Sequence, residues 1–359
     1  MLFAYTFIGS NLEKIQEYFD HIFLEIWCGQ GAYSDLDVVP NDFRVLLQKI
    51  RKRAKKPVNS SGHLDATLGR IHAIFLTLDQ PTKKQLAQAY IDNNKIEKLC
   101  NGDTSVTPFR YTALEAISPE LSREFKALYP ALYSDVLKLS AVRDVFESDI
   151  DGYYDDFVAI NNKGKCPFCG ISDIKSQYDS IRDAFDHYLP KDTYPFNAIN
   201  LHNLAPICRN CNSGYKLQKD PLLRQNGQRR KTFYPFVVSI PPLDIRVDIL
   251  NRDINHLAPD DINITILGSE ETETWRDVFK IDEQYKSKCT SECDGKYWFS
   301  SCNDEWQNAS IETLASGKQF QQDEWLGKKL RAARTNLYAE VNFLKIPFLE
   351  GCSRAEMFG

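Results

Sequence analysis

Several absences narrow the reading of this 359-residue chain. No uninterrupted apolar run approaches the ~18–20 residues that a membrane helix needs, so neither a spanning segment nor a membrane partner is expected. The N-terminus, MLFAYTFIGSNLEK, has neither a basic stretch nor a small-residue cleavage site, so no secretory signal is read and the expected compartment is the cytoplasm. There is no internal repeat and no low-complexity tract. The chain as a whole has no excess of positive charge: 44 Lys and Arg face 49 Asp and Glu, for a net of −5, and nothing in that total points to nucleic acid.

What is present is the balance of a globular protein. Hydrophobic residues make up 43%, charged residues 26% and aromatics 12%, which excludes a disordered chain, a collagen-like repeat and a small disulfide-stapled scaffold. The length suggests two or three domains. Up to about residue 150 the pattern is helical. Ser10 and Glu13 form a capping box, and Leu12, Ile15, Phe19, Ile22, Phe23 and Ile26 then recur on one helical face. Further helices are expected over about Asp42–Ala54, over Leu64–Leu78, from near Pro81, from Ser118–Pro119, and from Pro130 towards Phe146, with a loop at 57–63. Two alternating segments, 245–249 and 262–266, read as half-buried strands, and the last third returns to helix with polar connections near 287–304. The fold class expected is α+β, mainly helical. It divides into a helical region (1–155), a metal-organised module (156–235) and a C-terminal strand-then-helix region (236–359).

Ten cysteines in a chain without a signal argue for thiols or metal ligands rather than disulfides. Cys166-Pro-Phe-Cys169 and Cys208-Arg-Asn-Cys211 are two CxxC pairs. Each such turn can present two thiolates to one tetrahedral Zn²⁺, and a four-thiolate site is closed, hence structural. The 38 residues between the pairs exceed the ~15–20 of a plain zinc ribbon, so something is inserted between the knuckles. Redox dithiols are a weaker alternative, since one pair would suffice. Cys289, Cys293 and Cys302 offer a second metal site only if a fourth ligand exists, and none is evident.

The insert carries chemistry. Asp186-His187-Tyr188-Leu189-Pro190-Lys191 is followed by Asn200-Leu201-His202-Asn203-Leu204-Ala205-Pro206, and then by the second knuckle with Asn212-Ser-Gly-Tyr215-Lys216. Phosphodiester hydrolysis needs a base to activate water and a cation to offset charge on phosphate and leaving oxygen. Histidine is a suitable base near neutral pH, and a hard metal such as Mg²⁺ takes oxygen ligands. Asp186 and His187 supply ligand and base from adjacent positions; because neighbours on a strand point to opposite faces, a bend or loop is expected there.

Between Cys166 and Lys216 the sequence resembles the HNH (ββα-metal) endonucleases, in the subgroup braced by a four-cysteine zinc. The resemblance covers roughly a seventh of the chain and rests on CPFCG, DHYLPK, the N-L-x-P before the second knuckle and CNSGYK after it. It implies a central ββα module in which His187 is the general base and Asp186 a ligand of a catalytic Mg²⁺ or Mn²⁺. Asn203 would fix the loop that holds His187. Asn212, standing where the family name has its final histidine, would be the second ligand, from the start of the α element. Lys216 and Arg209 would face phosphate. His202 beside Asn203 reads as structural.

Between Asn161 and Lys231 there are twelve basic and six acidic residues, a local net of +6 within a chain of −5. A basic module in an acidic protein suits a reader of phosphate backbones. Arg229-Arg230-Lys231 is the expected phosphate clamp. The basic run Lys49–Lys56 reads first as a helix C-terminus. The function expected is a metal-dependent endonuclease acting on DNA. By family resemblance it would be controlled by a partner such as an ATPase or sensor protein, in defence against phage. Cleavage of RNA, tRNA included, is an alternative; a zinc-braced module that binds nucleic acid or a partner without cutting is another.

Overall fold

The computed structural model describes residues 1–29, 40–53, 64–317 and 319–359. The loop expected at 57–63 and the end of the basic run, Lys55 and Lys56, lie outside the described residues. The fold is α+β and mainly helical, and no helix among the described residues is long and apolar enough to cross a membrane. The chain groups into two compact units, one of Ala4–Gly164 with Ile174–Val238, the other of Met1–Phe3, Lys165–Asp173 and Ser239–Gly359.

The first unit begins with α1 (Glu13–His21), which continues as a π-helical turn, Ile22–Trp27. The Glu13 carboxylate accepts from the Ser10 amide at 2.9 Å, while Ser10 Oγ accepts from Leu12 rather than from Glu13. The apolar face read from the sequence, Leu12 to Ile26, is buried throughout. Then follow α2 (Asn41–Arg53), α3 (Leu64–Thr77), α4 (Gln80–Asn93), α5 (Ile96–Cys100) and α6 (Tyr111–Ile117). Asp79 caps α4 by accepting from the Thr82 amide at 2.9 Å. Helix α7 (Pro119–Ser134) starts at the Ser118 cap and runs straight through Pro130, so the helix expected to begin there does not. Its continuation is broken by a short 3-10 turn before α8 (Ser140–Phe146). Helix α9 (Ile150–Ile160), not anticipated from the sequence, is capped by Asp149 and buries Tyr153, Tyr154, Phe157 and Val158.

After α9 comes an antiparallel pair, β1 (Ala184–His187) and β2 (Leu204–Ile207), with Asp186 opposite Ala205 and His187 opposite Leu204. The expected bend between Asp186 and His187 is not needed: they are the last two residues of β1 and both are buried. The connection from β1 to β2 is tied into the helical core. Phe196 sits in it with φ +85°, a conformation non-glycine residues avoid, yet it is fully buried. Its ring lies 5.0 Å from Phe23, 5.4 Å from Phe125 and 5.5 Å from Tyr90. Burying a Phe contributes roughly 1.5–3 kcal/mol, of the same order as the ~1–3 kcal/mol that such backbone strain costs. A π-helical turn, Asn210–Lys216, follows β2 where an α element was expected.

In the second unit, β3 (Asp244–Ile249) pairs antiparallel with β4 (Ile262–Leu267), and β4 alternates buried and exposed as its sequence predicts. Five longer helices and one short one follow: α10 (Glu270–Phe279), α11 (Ile281–Thr290), α12 (Gly295–Ala315), α13 (Gln322–Lys329), α14 (Arg331–Thr335) and α15 (Asn342–Arg354). Gly351 lets α15 lie against β3, because a Cβ there would stand 2.3 Å from the Val247 carbonyl oxygen. The polar connections expected at 287–304 are mostly helix. Trp298, Phe299 and Cys302 give α12 a narrow buried stripe, and its polar residues simply face outward.

Candidate functional site

The first knuckle is shaped by its backbone. The Gly170 amide returns to the Cys166 carbonyl at 2.7 Å, and the Cys166 amide bonds Ser172 at 2.9 Å. Gly170 has φ +71°, and a Cβ would meet Leu2 at 2.2 Å, so this turn requires glycine. Trp275 Nε1 donates to the Phe168 carbonyl at 2.6 Å, and the Tyr285 hydroxyl donates to the Cys169 carbonyl at 3.2 Å. In the second knuckle the Cys211 amide donates to Cys208 Sγ at 3.5 Å. The Sγ atoms of Cys166, Cys169, Cys208 and Cys211 all lie within 4.8 Å of one another, and all four residues are buried. A tetrahedron with Zn–S bonds of ~2.3 Å has edges of about 3.8 Å, so these soft donors could hold a zinc ion. Cys289, Cys293 and Cys302 are not brought together as such a set among the described residues.

A separate cleft of about 450 Å³ is lined by Asp186, His187, Asn212 and Lys216, with Tyr133, Lys138, Arg182, Asp183, Lys191 and Leu217 around them. His187 Nε2 lies 2.9 Å from the Ala198 carbonyl oxygen. A carbonyl only accepts, so Nε2 carries the proton and Nδ1 has the lone pair. Among the described residues Nδ1 has no hydrogen-bond partner. Burial, aided by Lys191 and Lys216, pushes the imidazole down to about 3, although the Ala198 bond opposes this. His187 is therefore neutral at ordinary pH. Tyr133 of α7 packs edge-on against it, ring centroids 4.5 Å apart.

Asp186 is also buried. Its Oδ1 accepts from Lys216 Nζ at 3.0 Å, whereas Oδ2 is buried with no hydrogen-bond partner. Burial pushes its carboxyl up, and the Lys216 ammonium draws it back. A buried carboxylate oxygen without a partner calls for an ion or a proton. The hard-oxygen set of Asp186 and the Asn212 amide therefore fits a divalent cation.

Asn203, immediately before β2, is fully buried. Its Oδ1 accepts from the Leu189 amide at 2.8 Å, and its Nδ2 donates to the Leu189 carbonyl at 3.0 Å and the Asn197 carbonyl at 3.3 Å. Its own carbonyl accepts from Tyr188 at 2.9 Å. One amide thus ties down both ends of the loop that carries Ala198. His202 stacks on Phe7 at 3.9 Å and bonds the Tyr234 hydroxyl at 2.8 Å, a packing role.

Two of the phosphate assignments need correction. Lys216 is 1% exposed and points inward to Asp186 and the His187 carbonyl. Arg230 is buried, with Nη2 donating to the Asp220 carbonyl at 2.6 Å, so it cannot grip a backbone. Arg229 is half-buried and donates to the Val106 carbonyl at 2.9 Å. Lys231 and Arg209 are exposed but do not line the cleft. The cations that do line it, Lys138, Arg182 and Lys191, were not singled out beforehand. Lys191 lies within DHYLPK and was within reach of sequence reasoning. Tyr133 and Lys138, from the end of α7 and the turn after it, had no sequence signal.

No protein-family model matches the chain, and no solved structure matches it. A part of it is similar to protein ea31 of Escherichia phage lambda, 42% identical over 67 residues, or 18% of this chain and 20% of that protein. A part is also similar to the Septu protein PtuB of Bacillus thuringiensis, 35% identical over 66 residues, or 17% of this chain and 24% of that protein. The chain thus matches about a fifth to a quarter of the length of these curated relatives.

Proposed function

We propose that this protein is a metal-dependent HNH-type endonuclease that hydrolyses phosphodiester bonds, with DNA as its substrate. The observation that carries the reading is the pairing at the end of β1: a neutral histidine with a fixed tautomer beside a carboxylate with an unpartnered buried oxygen. In this reading His187 Nδ1 takes the proton from water as it attacks phosphorus. The Ala198 carbonyl keeps Nε2 protonated, and Asn203 holds the loop that carries that carbonyl. Asp186 and Asn212 would hold Mg²⁺ or Mn²⁺, which when bound offsets charge on the phosphate and the leaving oxygen. Lys138, Arg182 and Lys191 would draw the phosphate backbone into the cleft. Zinc on the four cysteines would brace the module. A role in defence against phage is the setting we favour; the short likeness to the Septu protein PtuB supports it. A partner such as an ATPase or sensor would then decide when the site acts, which suits an acidic chain carrying a basic module.

The experiment is nicking of supercoiled plasmid with Mg²⁺ or Mn²⁺, alongside structured RNA, comparing the native chain with His187→Ala. Metal-dependent nicking that the variant lacks supports the reading. RNA cut in preference to plasmid would move the substrate class. Cutting that survives in the variant would remove His187 from its role.

A further inference from the structure

We infer that Lys216 is the positioning residue for the metal ligand: its ammonium holds one oxygen of Asp186 so that the other is presented to the divalent cation. The inference rests on the nuclease reading above and adds a residue to the same site. Lys216 Nζ donates to Asp186 Oδ1 at 3.0 Å and to the His187 carbonyl oxygen at 2.9 Å. It therefore clamps the two consecutive residues on which the chemistry depends, one by side chain and one by backbone. Both members of the ion pair are nearly inaccessible, at 1% and 5% side-chain exposure. Burying such a pair costs desolvation that a surface pair avoids, and the more economical arrangement for stability alone is apolar packing. The backbone bears a cost as well. The Leu217 amide bonds the Asn212 carbonyl at 3.0 Å, a long π-type step next to Lys216, and Leu217 is left at φ +50°. Strain of this kind persists where the surroundings demand one geometry. The asymmetry at Asp186 is the remaining observation: Oδ1 is satisfied by Lys216, and Oδ2 is buried without a partner.

The opposite role is also conceivable on charge alone. A cation 3.0 Å from the carboxylate could compete with the metal, and its removal would then tighten metal binding. The two roles predict opposite signs. The test is Mn²⁺ binding to the full chain, read by the electron paramagnetic resonance of free Mn²⁺, with zinc content as the check on folding. Wild type, Asp186→Asn, Lys216→Met and Lys216→Arg are compared. Wild type should bind Mn²⁺ and Asp186→Asn should not. Lys216→Met should keep its zinc and bind Mn²⁺ about 10- to 100-fold more weakly, the usual effect of removing a residue that orients a ligand. Lys216→Arg keeps the charge with a different donor geometry and should fall between. Affinity in Lys216→Met equal to or tighter than wild type overturns the inference. Should Lys216→Met lose its zinc, Lys216→Arg decides, and wild-type affinity there overturns it. Wild-type protein without Asp186-dependent Mn²⁺ binding overturns the metal reading itself and this inference with it.

Discussion

The cysteine cluster and the β1 cleft are both sets of buried, metal-compatible donors, yet they differ in donor softness and in their access to a cavity. The cluster is four soft sulfurs, all buried and mutually close, the full complement of a four-coordinate structural site. The cleft has one hard carboxylate oxygen without a partner, an amide and a neutral imidazole at the wall of a cavity of about 450 Å³. A closed set of donors can only brace; an open one can act. Loss of the first should therefore be loss of structure, and loss of the second a loss of chemistry on a folded chain.

The strongest way to break that comparison is Cys208→Ser. The wild-type chain should contain about one zinc, and the variant should lose it together with cooperative melting, because structural zinc contributes roughly 10–16 kcal/mol of binding to the folded state. A variant that keeps its melting temperature without zinc would mean that the cluster does not brace the fold. His187→Ala is the counterpart in the cleft. It should lower cleavage roughly 100- to 10,000-fold while zinc content is unchanged and cooperative melting is retained. A melting temperature that collapses along with activity would erase the distinction.

Asn203→Ala falls between the two. It leaves the buried Leu189 amide and carbonyl without partners, at about 1–3 kcal/mol for an unsatisfied group, and frees the loop behind Ala198. Thermal unfolding should show a clear loss of stability, zinc should stay, and cleavage should fall; unchanged melting would show that the loop is held without Asn203. The smallest effect is expected at Asp149, which touches neither site. Burial would raise its carboxyl, but the Gly152 amide and the Arg143 guanidinium outweigh this and hold it below the usual carboxylate range. A depressed pKa contributes stability above the unfolded value near 3.8 and loses it as pH falls through the folded one. Asp149→Ala should therefore cost about 1 kcal/mol at neutral pH, the usual loss for a helix cap, and the difference from wild type should shrink in acid. Denaturant melts at pH 7 and pH 3 would check this.

Much of this was readable in the sequence where the determinants are local. A CxxC turn is a short-range device, and Asp186 and His187 are neighbours. The apolar stripe of α1 and the alternation of β4 follow directly from their periods. What was not readable depends on partners far along the chain. Tyr133 reaches His187 from a helix some fifty residues earlier, and Phe196 is committed to the core by aromatic rings from helices that carry no mark of it. Lys216 was expected to face phosphate, but its partners, Asp186 and the His187 carbonyl, lie about thirty residues earlier and bury it. Arg230 shows the same limit: a run of cations is legible, but which of them is buried depends on tertiary packing. Asp149 and the aromatics of α9 did carry a cap and a helical stripe, and that signal was overlooked.

The most direct test of the account measures zinc content and plasmid cleavage on the same preparations of wild type, His187→Ala and Cys208→Ser. Wild type should contain about one zinc and cut with Mg²⁺ or Mn²⁺. His187→Ala should keep the zinc and not cut, and Cys208→Ser should lose both. A His187→Ala chain that retains zinc and cuts like wild type would contradict the central claim, that the histidine at the end of β1 is the base of the reaction.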